Sequence, residues 1–445
     1  MASRWSVAVL GLALGAGAMA MFPVGSAAAQ PGGELVPESS SVSLIPAPGT
    51  EFVIGDHRYA GVLEVSAHGD GLALVEEVGL DGYLAGIAEV PFSWPAATLQ
   101  AQAVAARTYL AWTLAQGRSS TGTAYGFDIC ATDQCQVYAG SGLVDQSDGG
   151  RWVAAVAATT DQVPFHGREQ DQALYSSSAG SRTRPVQDIF GGDPKAYLVG
   201  APSPEAAVTP FARWEVSVDL SQFRRIMAAA GHPIGSRVDT MAVVTPPVGE
   251  GTATLVVEGL DRIEIPVADV RSGFNRYGPV FYPAALPARR PDGNRWPQTI
   301  LSYTFEIGYT PAPILGLPLG IPPEDVLGVG RVTFIGEGWG HSVGMSQYGA
   351  YAMGLDGASA GEILAHYYNG LVPENGAGFI PERVRVGLDW GQDILRLVAT
   401  GPFEASGLAL RAGSWRLTDE GGLVRLRPAE FPEFDADRTW RIRFR

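Results

Sequence analysis

The twenty-one residues from Ala96 to Gln116 contain no glycine or proline and lie between Pro95 and Gly117. Proline suits the first helical turn and glycine the position after the last, so the segment reads as a helix about 30 Å long. Leu99, Ala103, Ala106, Leu110 and Leu114 share one face, while Ala101, Ala105 and Trp112 cover the opposite side. A helix that is apolar nearly all round belongs in an interior, so the rest of the chain has to wrap it. Its one charge, Arg107, lies at the margin of the apolar face, where a guanidinium needs a carboxylate, carbonyls or a ligand. A structural ion pair is the plainer reading, and contact with a substrate the sharper one. Gln102, Tyr109 and Thr113 form a third, polar stripe suited to a cleft wall.

Glu89 stands out just ahead of this helix. Asp81 to Trp112 holds three charged residues in thirty-two, Asp81, Glu89 and Arg107. Ile87, Ala88, Val90, Pro91, Phe92 and Trp94 surround Glu89 in sequence, and such neighbours desolvate a carboxyl, raise its pKa and keep it protonated near neutrality. That is the state a general acid requires. The plainer alternative is a surface glutamate opening a loop. Pairing with Arg107 would lower the Glu89 pKa and spoil the acid, so the Arg107 partner is expected elsewhere.

With 445 residues, 46 % of them hydrophobic, the chain can bury a sizeable core in two or three units of roughly 100–200 residues each. A net charge of −15 and a single lysine, Lys195, exclude nucleic acid as a ligand and argue against attraction to anionic wall polymers. A polymer bound here is neutral, or is held by hydrogen bonds and stacking. Arg4, the apolar run Val7 to Phe22 and the small residues Gly25 to Ala29 read as a secretory signal peptide over residues 1–29. The run is short of the ~20 strongly apolar residues of a spanning helix. The mature chain is therefore expected to be secreted or cell-wall associated, with no transmembrane segment. Residues 30–48 read as a flexible linker.

Cys130 and Cys135 are the only cysteines. In an exported chain a close pair reads as a disulfide closing a small loop. A structural zinc site wants four ligands, so His166 and another residue would have to come from elsewhere. The disulfide is the expected state, with no metal and no cofactor.

The remaining pattern is α+β. Glu51 to Glu77 alternates apolar and polar residues around turns, as short antiparallel strands do. Helices are expected at Trp152–Thr160 and Ser221–Ala230. Strands are expected at Trp214–Val218, Thr252–Val257, Arg262–Val267 and Thr304–Ile307. The proline-rich stretches Pro279–Pro297 and Pro311–Pro323 read as loops. From Val384 onward short strands and turns repeat, marking 376–445 as a small β-rich terminal module.

Phe334 to Gly354 reads as a strand, a loop with glycines at 336, 338, 340 and 344, and a helix beginning near Met345. It gathers Trp339, His341, Ser346 and Gln347 at one turn, and its glycines would let a ligand approach the main chain. Gly340 to Gly344 also matches G-x-S-x-G, the nucleophile elbow of serine esterases, with Ser342 as nucleophile. That reading ranks second. The upstream chain has no βαβ alternation, and the only downstream histidine, His366, leaves too little chain for the usual remaining strands.

YLAGIAEVPFSWPAATLQAQAVAARTYLAW resembles the first signature of the SpoIID/LytB domain family, and GWGHSVGMSQYGAYAMG with EILAHYYNG resembles the last. QVYAG and ALYSSSAGSRT fall between them in the family's order. The resemblance runs from about Arg58 to Leu371. It implies a domain over 49–375, in which a buried helix adjoins a catalytic loop and residues 205–330 form a variable inserted segment. The sequence departs from the pattern at Val90, Gln100, Ala179 and Ser342, where Met, Lys, the Gly of Ser-Gly-Gly and Gly are usual.

The resemblance implies action on peptidoglycan glycan strands stripped of their peptides, by a lytic transglycosylase whose catalytic acid falls on Glu89. The family's other implied role is a non-catalytic enhancer of a cell-wall amidase, and sporulation is one of its settings. A transglycosylase manages with one carboxyl because the sugar's own 6-hydroxyl takes the place of water, whereas a hydrolase ordinarily uses two. Trp94 and Trp339 are the candidates for stacking on sugar rings. Gln102, Arg107, Tyr109, Ser177, Ser178, His341, Ser346 and Gln347 are the candidates for other substrate contacts.

Overall fold

The predicted helix spans Ala96–Ala115 in the computed structural model of the chain, and twelve of its residues are buried. The structure describes residues 39–166, 169–311, 330–378 and 381–429. The signal-peptide reading over 1–29 and most of the Pro311–Pro323 stretch lie outside the described residues. Two cores meet on this helix. Leu99, Ala103, Ala106 and Leu110 pack into one with Tyr83, Ile87, Phe92 and Trp152. Ala101, Val104 and Ala105 pack into the other with Met345, Ile363 and Tyr367. The small alanines let the neighbouring helices Gly149–Ala158, Gln347–Leu355 and Ala360–Tyr367 come close.

The first core is closed by a seven-stranded sheet in the order Leu408–Leu410, Phe403–Ala405, Ser41–Pro46, Val62–His68, Gly71–Gly79, Arg383–Gln392 and Ile129–Cys130. Its pairings are antiparallel except the last. A second, five-stranded sheet runs Val424–Pro428, Gly413–Asp419, Ile394–Ala399, Phe52–Ile54 and His57–Tyr59.

Two stretches read from composition join the main body. Ser41–Pro46, inside the expected linker, is a strand whose Val42 and Leu44 are fully buried. The two-residue alternation outweighs the Ser- and Pro-rich composition. Strands of the expected terminal module also pair with the main body. Arg383–Gln392 lies between two strands of the main sheet, and Ile394–Ala399 pairs with Phe52–Ile54, so the stretch 383–399 is woven into the same body as residues 52–79.

The inserted segment builds its own core around Phe223, Phe274 and Phe305, closed by Phe334 from the strand that follows it. One sheet joins Trp214–Asp219, Arg331–Gly336 and Phe305–Thr310, and the other joins Val238–Val244, Thr254–Gly259 and Arg262–Pro266. The expected helix appears as Leu220–Ala229. A second helix, Val267–Phe281, contains Pro279 and so takes the start of a stretch read as loop. A proline this close to the C-terminal end disturbs only the final turn.

Glu76 is fully buried on the strand Gly71–Gly79. It accepts hydrogen bonds from the Gly61 N–H at 2.8 Å and the Tyr138 hydroxyl at 2.7 Å. Burial raises its pKa to about 7, with the two hydrogen bonds opposing. The folded-state pKa lies above the unfolded value, so this group's stabilising contribution is present below the unfolded pKa and is lost as pH rises through about 7. Glu76→Gln is expected to be more stable than the wild type at pH 8 by about 3 kcal/mol. The gain should shrink toward pH 5. Denaturant melts at the two pH values check this, and an equal difference at both would refute it.

Candidate active site

Glu89 sits where two segments meet. Ile87 bridges Tyr138 in antiparallel fashion, and the Ala88 N–H donates to the Val137 carbonyl at 2.9 Å. The Glu89 side chain then curls so that Oε1 accepts from the Val137 N–H at 2.7 Å. From the other side Gln347 Nε2 donates to Oε2 at 3.4 Å and to Gln102 Oε1 at 3.4 Å. Among the described residues Glu89 takes part in no ion pair. Burial raises its pKa, opposed by hydrogen bonds from Val137, Gln347 and Tyr175, and the charge of Asp133 adds to the rise.

The loop behind Glu89 is held by the helix Gly149–Ala158. Arg151 donates to the Phe92 and Trp94 carbonyls at 3.1 and 2.8 Å. Trp152 donates to the Leu84 carbonyl at 2.9 Å and stacks on Phe92 with ring centres 5.6 Å apart.

Tyr175 is the contact that sequence reasoning missed, although it lies in the quoted motif ALYSSSAGSRT. Its hydroxyl donates to Glu89 and accepts from Gln136 Nε2 at 2.9 Å. Gln136 also donates to the Ala106 carbonyl at 3.1 Å and accepts from the Tyr83 hydroxyl at 2.7 Å. Tyr83, Gln136, Tyr175 and Glu89 thus form a chain in which each hydrogen-bond direction is fixed by the next. Burial pushes the Tyr175 phenol well above its ordinary range, with the Glu89 charge adding to it, so this hydroxyl stays a donor. The Tyr109 ring stands 6.4 Å from that of Tyr175. The polar stripe of the central helix, Gln102 and Tyr109, therefore lines the site.

His341 fixes this arrangement from behind. Its Nδ1 accepts from the Val343 N–H at 3.0 Å, and its ring bonds the Tyr175 backbone. Burial, with Arg271 nearby, lowers its pKa to about 4. A neutral imidazole is thereby locked between the glycine loop and the strand of Tyr175.

The glycines serve packing and not ligand approach. A Cβ on Gly338 would lie 2.6 Å from the Ser178 carbonyl, and one on Gly344 would lie 1.9 Å from the Leu174 carbonyl, both at positive φ. The loop lies directly on residues 174–178, and Met345–Ser346 pairs in parallel with Tyr175–Ser176.

Several candidates are thereby reassigned. Ser178 and Ser346 are buried and both donate to Glu205, a residue sequence reasoning passed over. Arg107 does not reach the site. Its guanidinium donates to the carbonyls of Val156 at 3.3 Å and Gln162 at 3.2 Å, and to Thr159 at 3.5 Å. It therefore caps the end of the helix Gly149–Ala158, adding to the bond that the Val156 carbonyl accepts from the Thr159 N–H at 3.3 Å, instead of forming an ion pair. Trp94 is 7 % exposed, stacked on Tyr351 at 4.7 Å, and is a core residue. Trp339 and Ser177 remain part-exposed.

The elbow reading of Ser342 fails on geometry. Its Oγ is fully buried with no hydrogen-bond partner, whereas an elbow serine presents its Oγ to solvent beside a histidine. Its φ of 58° is left-handed, which explains why glycine suits the position. Ser342→Gly is expected to stabilise the protein by about 1 kcal/mol, because relief of strain and of the unsatisfied hydroxyl exceeds the glycine's added chain entropy. A denaturant melt reads this directly. Lower stability in the variant would count against it.

Cys130 and Cys135 are joined, with Cα atoms 5.5 Å apart, and the loop they close delivers Gln136 and Val137 to Glu89. Among the described residues no group of three His, Cys, Asp or Glu side chains is gathered as a metal site. With both thiols in the disulfide, the donor set here does not fit zinc. The His166 side chain lies outside the described residues. No helix among them is long and apolar enough to cross a membrane.

Residues 68–166 match the family model for the stage II sporulation protein SpoIID, a span that includes Glu89, the central helix and the disulfide loop. The chain is 25 % identical over 328 residues to an uncharacterised protein of Brachyspira hyodysenteriae, covering 72 % of this chain and 73 % of that one. It is also 25 % identical over 308 residues to stage II sporulation protein D of Bacillus amyloliquefaciens, covering 67 % and 74 %. By this match, and by the relative named stage II sporulation protein D, the chain is similar to the SpoIID family.

Proposed function

We propose that this protein is a peptidoglycan lytic transglycosylase in which Glu89 is the single acid and base. Similarity to the SpoIID family suggests a cell-wall-related role, and one observation carries the finer reading. Glu89 is a carboxyl with a raised pKa, held by three neutral donors, without an ion pair among the described residues.

In the proposed reaction this carboxyl starts protonated, the form that its burial favours. It gives its proton to the glycosidic oxygen as the bond from C1 to that oxygen breaks, and the departing sugar leaves as an alcohol. The 6-hydroxyl oxygen of the retained sugar then bonds to C1, and its proton passes to the Glu89 carboxylate. The product is a 1,6-anhydro end, and the acid is restored. Between the two steps the donors from Val137, Tyr175 and Gln347 stabilise the carboxylate.

The test is mass spectrometry of products from peptide-free glycan strands incubated with the mature chain. Anhydro-ended fragments support the reading. Reducing ends, or intact strands accompanied by stimulation of a separate amidase, overturn it.

A further inference from the structure

We infer that Tyr348, Tyr351 and Trp339 form a sugar-binding shelf beside Glu89, holding glycan units outside the bond that is cut; this rests on the transglycosylase reading. The sequence points to Trp94 and Trp339 as the stacking residues, but Trp94 is the buried support. Its ring stacks on Tyr351 at 4.7 Å and meets Tyr348 edge-on at 5.2 Å. The same Tyr348 ring lies 5.9 Å from buried Phe211, which packs against Trp339 at 4.9 Å. Two buried rings, one from each side of the junction with the inserted segment, thus set three part-exposed rings in a connected row.

Two further observations favour a sugar over a purely apolar ligand. The Tyr348 and Tyr351 hydroxyls and the Trp339 indole N–H make no hydrogen bond among the described residues. Half-covered rings with free polar tips match a pyranose, which offers a C–H face to an aromatic ring and hydroxyls at its rim. The row is also continuous with the site, because Tyr348 directly follows Gln347, the donor to Glu89. Neutral recognition of this kind suits a chain of net charge −15.

The experiment uses the mature chain carrying Glu89→Gln, so that ligand is bound without turnover. Peptide-free glycan strands and N-acetylglucosamine hexamers are titrated by calorimetry. Adding Tyr348→Ala or Tyr351→Ala should weaken binding of both probes by about tenfold or more, the order of a lost stacking contact. The double variant Tyr348→Phe, Tyr351→Phe keeps the packing against Trp94 and should lose about threefold to fivefold, the order of a lost neutral hydrogen bond. In the active chain Tyr348→Ala should raise KM with little change in kcat. Full affinity in folded alanine variants overturns the shelf and leaves the transglycosylase reading standing. A Glu89→Gln chain that binds neither probe overturns the shelf. Loss of anhydro products from the wild type overturns the catalytic reading.

Discussion

Glu89→Gln is expected to lower release of anhydro-ended products by about 10²–10⁴-fold, the usual contribution of a positioned acid and base. Glutamine keeps the shape of the side chain and can still accept from the Val137 N–H, so the variant should fold and bind glycan as the wild type does. What it lacks is a proton to give and a carboxylate to take one back. The pH profile supplies an independent check. Because the Glu89 pKa is raised and catalysis starts from the protonated acid, kcat/KM should fall as pH rises through that pKa. Full product release by the variant would remove Glu89 from the reaction, and a rate that rises through this range would assign it the opposite starting state.

Much of this site was legible in the chain because its chemistry is local. The near-absence of charge from Asp81 to Trp112 marked both Glu89 and the helix that supports it, and the all-round apolar pattern of Ala96 to Gln116 required the two cores that enclose it. Residues whose roles depend on distant partners were not legible. Tyr175 looked like any tyrosine in a serine-rich motif until the parallel pairing with Met345–Ser346 brought it to Glu89. Arg107 had its place on the helix predicted, but its acceptors are carbonyls of another element, and carbonyls carry no signal in a sequence. Trp94 was misread because exposure is a property of neighbours, and the tyrosines that cover it lie more than 250 residues away. The pairing of residues 44–46 with 403–405 was hidden for a related reason: strand pairing between stretches remote in sequence leaves only an alternation such as Val42 and Leu44.

Glu205 should be the residue whose loss most damages the fold. It is fully buried and stands at the start of the segment read as a variable insertion. Its Oε1 accepts from the Ser178 hydroxyl and, at 2.9 Å, from the Gly180 N–H. Its Oε2 accepts from the Ser346 hydroxyl and, at 2.7 Å, from that of Ser203. Ser178 in turn accepts from Thr209 at 3.1 Å, and Ser346 from the Gly349 N–H at 3.2 Å. Three segments remote in sequence therefore converge on one carboxylate. Glu205→Ala would leave three buried donors without an acceptor, each worth roughly 1–3 kcal/mol, while the Ser203 hydroxyl can turn to that of Tyr367 at 3.0 Å. With water entering the space, a net loss of about 4 kcal/mol is expected, a large share of the 5–15 kcal/mol that typically separates folded from unfolded. A melting temperature lower by ~10 °C or more would report it. Glu205→Gln keeps one acceptor oxygen but turns two donors toward hydroxyls that also donate, so about half that loss is expected. Activity should fall in parallel, because Ser346 begins the helix whose Gln347 donates to Glu89. A Glu205→Ala protein that melts within a degree or two of the wild type would show that the three segments hold together without their shared acceptor, and the geometry around Glu89 would then need another support.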